Sequence, residues 1–434
     1  MSFQPDELQQ KAIDTCCNIE NRIVAVTGKA GTGKTTIMRL VYEQLTEQGL
    51  RVVMCAPTGK ASKRISQATG LQAMTIHRLL EYPYPGERDE KTGKTYQSGF
   101  PKRCRANPLD CDVVLCDEYA MVTQEVHRNL LDALPKHAVL RTFGDINQLQ
   151  PVEESKALQA EPSAFKVLLE KFVGVTLMSI HRQGEGSGIT SAGGNILLGR
   201  MPQRRDDFTI KVTEQPVLEL LDYIRMRAAT DNVLFNDVDN QIICLQFPSW
   251  VGTYKLNAAL QLHFRPEADG WINLPRHKWE EKTPVRVRVG DKVIFTKNYY
   301  ATEFTPDYEV FNGETGIITK VYPDTEEFDV DLGDRTLTVP PVYQMKGRNG
   351  FYDADPRKDI QLAYALTTHK CQGSEYKNIV YVMNKSAIWV QSRKNFYTAI
   401  TRARENAHLI CDSKSLSYSL WKTGEESPKE KKAV

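Results

Sequence analysis

Gly28-Lys29-Ala30-Gly31-Thr32-Gly33-Lys34-Thr35 is the stretch on which the fold turns. It matches G-x-x-x-x-G-K-T, and its flanks have the context that such a loop needs. Residues 22–27 before it form an apolar, β-branched run expected to be a buried strand. Residues 34–48 after it carry helical periodicity closed by Gly49. Glycines in such a turn let backbone N–H groups close around phosphate oxygens at a helix N-terminus. Lys34 should reach the β and γ phosphates of ATP, the Thr35 hydroxyl should hold Mg²⁺, and Thr36 completes the loop's exit into the helix.

Working outward, residues 6–18 read as a helix and 51–56 as a second strand. Strand, Gly-rich turn, helix, strand is the start of a parallel α/β sheet. Residues 82–110 break the rhythm with Pro83, Pro85, Gly86, Gly93, Gly99, Pro101 and Pro108, and Lys91-Thr92-Gly93-Lys94 looks like a hairpin turn. The rhythm resumes with a strand at 113–116, a helix at 124–133 and a strand at 138–143. A glycine-rich stretch, 184–199, joins this half to a second α/β region with a strand at 241–246 and a helix at 254–262. Residues 285–343 change character again. Short alternating strands split by Gly, Asp, Asn and Pro suggest a small β-barrel inserted in the second half. The α/β pattern is expected back at Ile360, and the end, 422–434, reads as a charged, solvated tail.

The chain has 434 residues, enough for two to four domains. Hydrophobic residues make up 41% and charged residues 25%, which excludes wholesale disorder. No apolar run approaches the roughly 18 residues of a membrane helix, and the polar start carries no secretory signal. The 56 basic and 54 acidic residues leave a net charge of +2. That rules out a histone-like polycation but not a strand-tracking enzyme, which can confine its basic residues to one channel. Nine scattered cysteines without a Cys-x-x-Cys pair point to reduced thiols and a cytoplasmic setting rather than a zinc or disulfide framework.

Two further stretches carry chemistry. Val113-Val-Leu-Cys116 runs into Asp117-Glu118, which places one carboxylate beside a nucleotide metal and a second where it can activate water. Alone, such a pair is often a solvated strand end; one α/β unit after Lys34, it is not. Gly144-Asp145-Ile-Asn-Gln148 follows the next strand, and the Gln148 amide can bond both a γ-phosphate and the attacking water.

The order of these motifs, with Ala56-Pro57-Thr58-Gly-Lys60-Ala61 and Thr75-Ile-His77-Arg78 between them, resembles the first half of a superfamily 1 helicase. The second half agrees. Ile180-His-Arg182-Gln183 resembles motif IV, Ala365 to Glu375 motif V, and Tyr397 to Arg404 motif VI, while residues 6–12 with Gln9 look like the adenine-reading Q motif. The hairpin-like insert before Asp117 and the barrel-like insert before motif V, with Val310-Phe-Asn-Gly-Glu-Thr-Gly316, narrow the resemblance to the RecD-like branch. The fold this implies is α/β. It has two RecA-like parallel-sheet domains, with a duplex-splitting pin in the first and an SH3-like barrel in the second. The bounds expected are 1–180 for the first domain with its pin at 82–110, 181–284 with 356–421 for the second, and 285–355 for the barrel.

The resemblance also implies roles. Lys34, Glu118, Gln148, Arg182 and Arg402 would be catalytic, the two arginines meeting the γ-phosphate from the second domain. Gln9, residues Gly28 to Thr36 and Glu375 would bind ATP, and Thr35 with Asp117 would hold Mg²⁺. Pro57, Thr58, Lys60 and His77 in the first domain, and Thr368 and His369 in the second, would touch single-stranded DNA through phosphates rather than base edges. The implied activity is ATP-driven 5′→3′ translocation and duplex separation by a monomeric core, with a single strand and a fork as partners, no membrane, and room for a single-strand-binding or replication protein. The chain departs from the family at Phe247-Pro-Ser-Trp250, where a polar pair is usual, so Trp250 either stacks a base or packs in the core. Tyr84, Tyr96 and Phe100 are the candidate wedges of the pin. An RNA helicase and an ATP-switched strand-binding loader are the rival readings.

Overall fold

The computed structural model describes residues 4–83, 100–153, 155, 157–180, 186–245, 252–264, 270–275, 285–299, 307–347 and 350–424. They fall into two compact units, one within 1–185 and one spanning 186–424.

The first unit alternates helix and strand: α1 (Glu7–Cys17), β1 (Ile23–Gly28), α2 (Lys34–Glu47), β2 (Val52–Ala56), α3 (Gly59–Thr69), β3 (Ala73–Thr75), α4 (Ile76–Leu79), β4 (Val113–Cys116), α5 (Gln124–Ala133), β5 (Val139–Gly144), α6 (Ala164–Lys171) and β6 (Val173–Leu177). The strands form one sheet in the order β3-β2-β4-β5-β1-β6, every pair parallel. β1, β4 and β5 are buried along their whole length, as a sheet covered on both faces requires. Strand alternation divides them cleanly. Val24, Val26, Val113 and Leu115 pack with α1, α2 and α3, while Ile23, Ala25, Val114 and Leu140 pack with α5 and α6. Because all strands run the same way, the carboxyl ends of β1, β4 and β5 share one edge, where open α/β sheets carry their ligands.

A buried arginine ties the far end of α1 to this sheet. Arg141 of β5 is fully buried. Its guanidinium donates to the carbonyls of Cys16 (2.6 Å) and Asn18 (2.9 Å) at the end of α1 and of Asn21 (2.7 Å) in the turn that follows. Replacing Arg141 with alanine strands those acceptors and leaves a cavity, so a loss of roughly 3–5 kcal/mol is expected. Urea unfolding of the full chain reads it, and a loss below about 1 kcal/mol would count against this role.

The second unit contains α7 (Gly188–Leu197), β7 (Phe208–Val212), α8 (Pro216–Asp231), β8 (Asn240–Cys244), α9 (Thr253–Phe264), β9 (Ile272–Asn273), β10 (Arg286–Val287), β11 (Lys292–Phe295), β12 (Thr315–Tyr322), β13 (Glu327–Asp331), β14 (Thr336–Val339), β15 (Tyr343–Gly347), β16 (Gly350–Ala354), β17 (Ile360–Leu362), β18 (Ala365–Thr367), β19 (Tyr376–Val382), α10 (Arg393–Ile400), β20 (Ala403–Cys411) and α11 (Ser413–Trp421). β18-β8-β19-β20-β7 is a second all-parallel sheet. β14-β13-β12-β11-β17 is antiparallel. Two expectations from the sequence shift here. Ile360 does not restart the parallel sheet, because Ile360–Leu362 pairs with β11 at the edge of the antiparallel one. The alternating run at 285–289 contributes only Arg286 and Val287, which pair with β9 in a separate two-stranded ladder. Alternation marks a strand but does not name its partner.

Most of the expected pin, including Tyr84 and Tyr96, lies outside the described residues, as does Trp250. The roots of the pin segment are described. Lys102 and Arg103 donate backbone N–H bonds to Glu81 (3.2 Å) and Leu80 (3.1 Å), so the chain leaves and returns at one place. Arg103 also pairs with the Glu81 carboxylate at 2.6 Å, and Phe100 is exposed. Among the described residues no helix is long and apolar enough to cross a membrane.

Candidate nucleotide site and strand-facing residues

The turn from β1 into α2 is built for an anion. Gly31 and Gly33 have φ of +83° and +81°, the left-handed region that glycine occupies without strain. A Cβ at Gly28 would stand 2.5 Å from Thr32 Oγ1. The residue before α2, Gly33, supplies no side-chain cap, and the helix presents its N-terminal end to the loop. Lys34 folds back over the loop, its Nζ donating to the carbonyls of Gly28 (2.7 Å) and Lys29 (2.9 Å). Thr32 Oγ1 also donates to the Lys29 carbonyl, at 3.0 Å. Lys29, Ala30 and Thr36 are half-buried around it.

Gln9 closes one side of this loop. Its backbone N–H donates to the Asp6 carboxylate (2.9 Å) and its Oε1 accepts from the Asp6 N–H (3.0 Å), a reciprocal cap at the start of α1. The remaining amide nitrogen donates to the Thr32 carbonyl at 3.2 Å. The start of α1 and the glycine-rich loop are therefore fastened together. The Asp-x-x-Gln spacing was the legible signal for that cap.

Asp117 and Glu118 stand at the end of β4. Thr35 Oγ1 donates to Asp117 Oδ2 at 3.4 Å. Burial pushes the Asp117 carboxyl above its ordinary range, with Glu118 adding to the shift and Arg64 and Lys34 opposing it. A hydroxyl and a dry carboxylate are hard oxygen donors. They suit a Mg²⁺ that takes its other ligands from phosphate and water. Glu118 is a non-glycine residue at φ +51°, nearly buried, and Arg64 of α3 donates from Nη2 to its Oε1 at 3.2 Å. Nothing in the sequence singled out Arg64, since a lysine- and arginine-rich helix face is ordinarily solvated. Gln148, at the end of β5, is buried, and its Oε1 has no hydrogen-bond partner among the described residues. A buried acceptor of that kind is costly unless a ligand or water fills it.

The strand-facing candidates of the first unit cluster after β2. Pro57, Thr58 and Lys60 are half-buried, and Thr58 Oγ1 accepts from the Ala61 N–H at 3.2 Å as the cap of α3. His77 is exposed on α4, its ring 4.7 Å from that of Tyr82.

In the second unit the motif V and VI segments come together. Arg402 is buried; its Nε donates to the Thr398 carbonyl (3.1 Å) and Nη1 to the Ser374 carbonyl (3.3 Å), while the Tyr376 N–H donates to the Arg402 carbonyl (2.9 Å). This sets Arg402 beside Glu375, which is half-buried. His369 is exposed, but Thr368 is buried with its hydroxyl donating to Asn395 Oδ1 at 2.7 Å. That hydroxyl is committed inside the unit, so the side chain orders the loop under His369 instead of facing solvent as a strand contact would. Arg182 lies outside the described residues. A cavity of about 620 Å³ between α9 and the antiparallel sheet is lined by Lys255, Arg286, Arg288 and Lys370 among others, cations suited to a phosphate backbone.

Comparison with known proteins follows the same division. Residues 4–208 match the family described as AAA domain, and 362–410 match the UvrD-like helicase C-terminal domain. The chain is 30% identical to the ATP-dependent RecD2 DNA helicase of Deinococcus radiodurans over 385 residues, covering 89% of this chain and 46% of that protein. It thus spans about half the length of that relative. It is 32% identical to the ATP-dependent DNA helicase dda of Enterobacteria phage T4 over 133 residues, 30% of this chain and 28% of that one. In fold it is similar to a Pif1 helicase from Bacteroides solved with ADP-AlF3 and single-stranded DNA. The TM-score is 0.60 at 21% identity, covering 96% of this chain and 94% of that one.

Proposed function

We propose that this chain, similar to the RecD2 and dda helicases, is an ATP-driven DNA helicase of the RecD-like branch of superfamily 1. It moves 5′→3′ along a single strand and separates the duplex ahead. The observation that carries this reading is the nucleotide edge of the first unit. There an uncapped helix N-terminus, Lys34, the Thr35–Asp117 pair and the unpartnered Gln148 oxygen meet along one edge of the sheet.

ATP phosphates seat on the α2 N-terminus under Lys34, and Gln9 lies beside the base. Thr35 and Asp117 would hold Mg²⁺, whose chemistry there would be to neutralise charge on the phosphate oxygens. Glu118 takes the proton of the attacking water, and Gln148 Oε1 accepts that water's second O–H and so aims it. By the resemblance, Arg182 and Arg402 would be the groups that answer the charge developing on the γ-phosphate. The two carbonyl bonds of Arg402 leave Nη2 without a partner among the described residues, which supports that role. Glu375 takes the ribose. Pro57, Thr58, Lys60, His77 and His369 track the strand. The antiparallel sheet is read as the SH3-like insert, completed by β17 from beyond 285–355, and residues 82–110 as the pin, in a monomeric core.

Strand displacement on tailed duplexes tests the reading. ATP-dependent separation is expected from a 5′ tail and not from a 3′ tail. Efficient separation from the 3′ tail would overturn the polarity. ATP hydrolysis with no separation from either tail would favour a switched strand clamp, and separation of RNA duplexes alone an RNA helicase.

A further inference from the structure

The hydrolysis chemistry just described makes no use of the Arg64–Glu118 contact. Arg64 Nη2 lies 3.2 Å from Glu118 Oε1, with side-chain exposures of 28% and 6%. A general base needs a lone pair aimed at its water. A guanidinium on one carboxylate oxygen occupies a lone pair there and holds that oxygen toward α3 rather than toward a water. The backbone that carries Glu118 is held at φ +51° two residues past the end of β4, and its N–H donates to Asp117 Oδ1 at 2.8 Å.

The other end of the contact is placed to respond to a strand. α3 begins at Gly59 with Thr58 as its cap, so its first turn holds the residues read as strand contacts. Lys60 and Arg64 are four residues apart on α3 and therefore lie on one face, a turn apart. A phosphate drawn to Lys60 is within one helical turn of Arg64. It offers the guanidinium the two-oxygen partner that arginine meets best. The strand then binds one state of Arg64 better than the other, which is what shifts an equilibrium.

Resting on the helicase reading above, we propose that Arg64 is a positioning residue that restrains Glu118 while α3 carries no strand. Engagement of a strand at the start of α3 draws Arg64 off and frees the base. Strand-stimulated hydrolysis is then the release of a restraint built into the first unit.

The test measures ATP turnover by the full chain without and with saturating oligothymidylate, for wild type, Arg64→Gln, Arg64→Met and Arg64→Lys. The Gln and Met variants are expected to raise the strand-free rate about tenfold, as removal of one charge-assisted bond implies. The strand-saturated rate should stay near that of wild type, so the stimulation ratio collapses. Arg64→Lys keeps a cation within reach and should restore most of the restraint. A purely structural role predicts the opposite, a fall in both rates. An unchanged or lower strand-free rate in folded Gln or Met variants would overturn the proposal. Should neither fold, a strand-free rate for Arg64→Lys below that of wild type would overturn it, and a modest rise would support it. The strand-free rate reports the restraint whether or not wild type responds to DNA. Absence of stimulation in wild type would instead count against the helicase reading itself.

Discussion

Lys34→Ala is expected to lower ATP turnover by at least about 10²–10³-fold, the loss seen when one preorganised donor to developing charge is removed. In the structure Lys34 Nζ is poised over the loop by the Gly28 and Lys29 carbonyls, so alanine removes the ammonium that folds back over the loop at the start of α2. Single-strand affinity should change by less than about twofold. Pro57, Thr58 and Lys60, the proposed strand contacts, sit on a different turn, after β2, and electrostatic strand binding would follow the phosphates they meet. Turnover and strand binding measured on the same preparation check both halves. Wild-type turnover would refute the nucleotide site, and joint loss in a folded protein would refute the separation of the two surfaces.

The second large effect concerns Glu118. Glu118→Gln keeps the size of the side chain and an acceptor for Arg64 but removes the base. Turnover should fall by about 10²–10⁴-fold, the contribution of a positioned proton acceptor. ATP affinity should hold or rise, because Gln is neutral and relieves the like-charge pressure on the Asp117 carboxyl, to which Glu118 contributes. Equilibrium binding of a fluorescent ATP analogue and single-turnover hydrolysis separate the two quantities. Hydrolysis within tenfold of wild type would pass the role of base to another group. Loss of binding would make Glu118 a nucleotide ligand instead.

Legibility differed from region to region. The helix at 124–133 has the bounds read from its periodicity. β1 and β5 each run one residue further than the apolar pattern, into Gly28 and Gly144, because a buried ladder continues through a glycine that contributes no hydrophobic signal. The antiparallel strands were visible as alternation, yet the pairing of Ile360–Leu362 with β11 was not. Period two is a property of one strand, whereas its partner is set by packing against residues far along the chain. Thr368 shows the same limit at a single residue. A hydroxyl in that motif is chemically fit to meet a phosphate, but burial against Asn395 decides where it points.

By itself the sequence determined the phosphate-type loop. A Gly-rich turn between a strand and a helix is local backbone geometry, and residues spaced within one turn can reach only what that turn presents. The positions of Asp117, Glu118 and Gln148 near the sheet edge were likewise legible, because the first two follow β4 and the third lies four residues past β5. Only the tertiary structure decided which of these groups touch. Thr35 and Asp117 are 82 positions apart, and Arg64 and Glu118 are 54. The Arg141 guanidinium reaches Cys16 across 125. Contacts of that separation are made by the parallel register of β1, β2, β4 and β5 and by the helices packed on them. The burial they create, not residue type, determines whether an arginine is a solvated charge or the partner of a buried carboxylate.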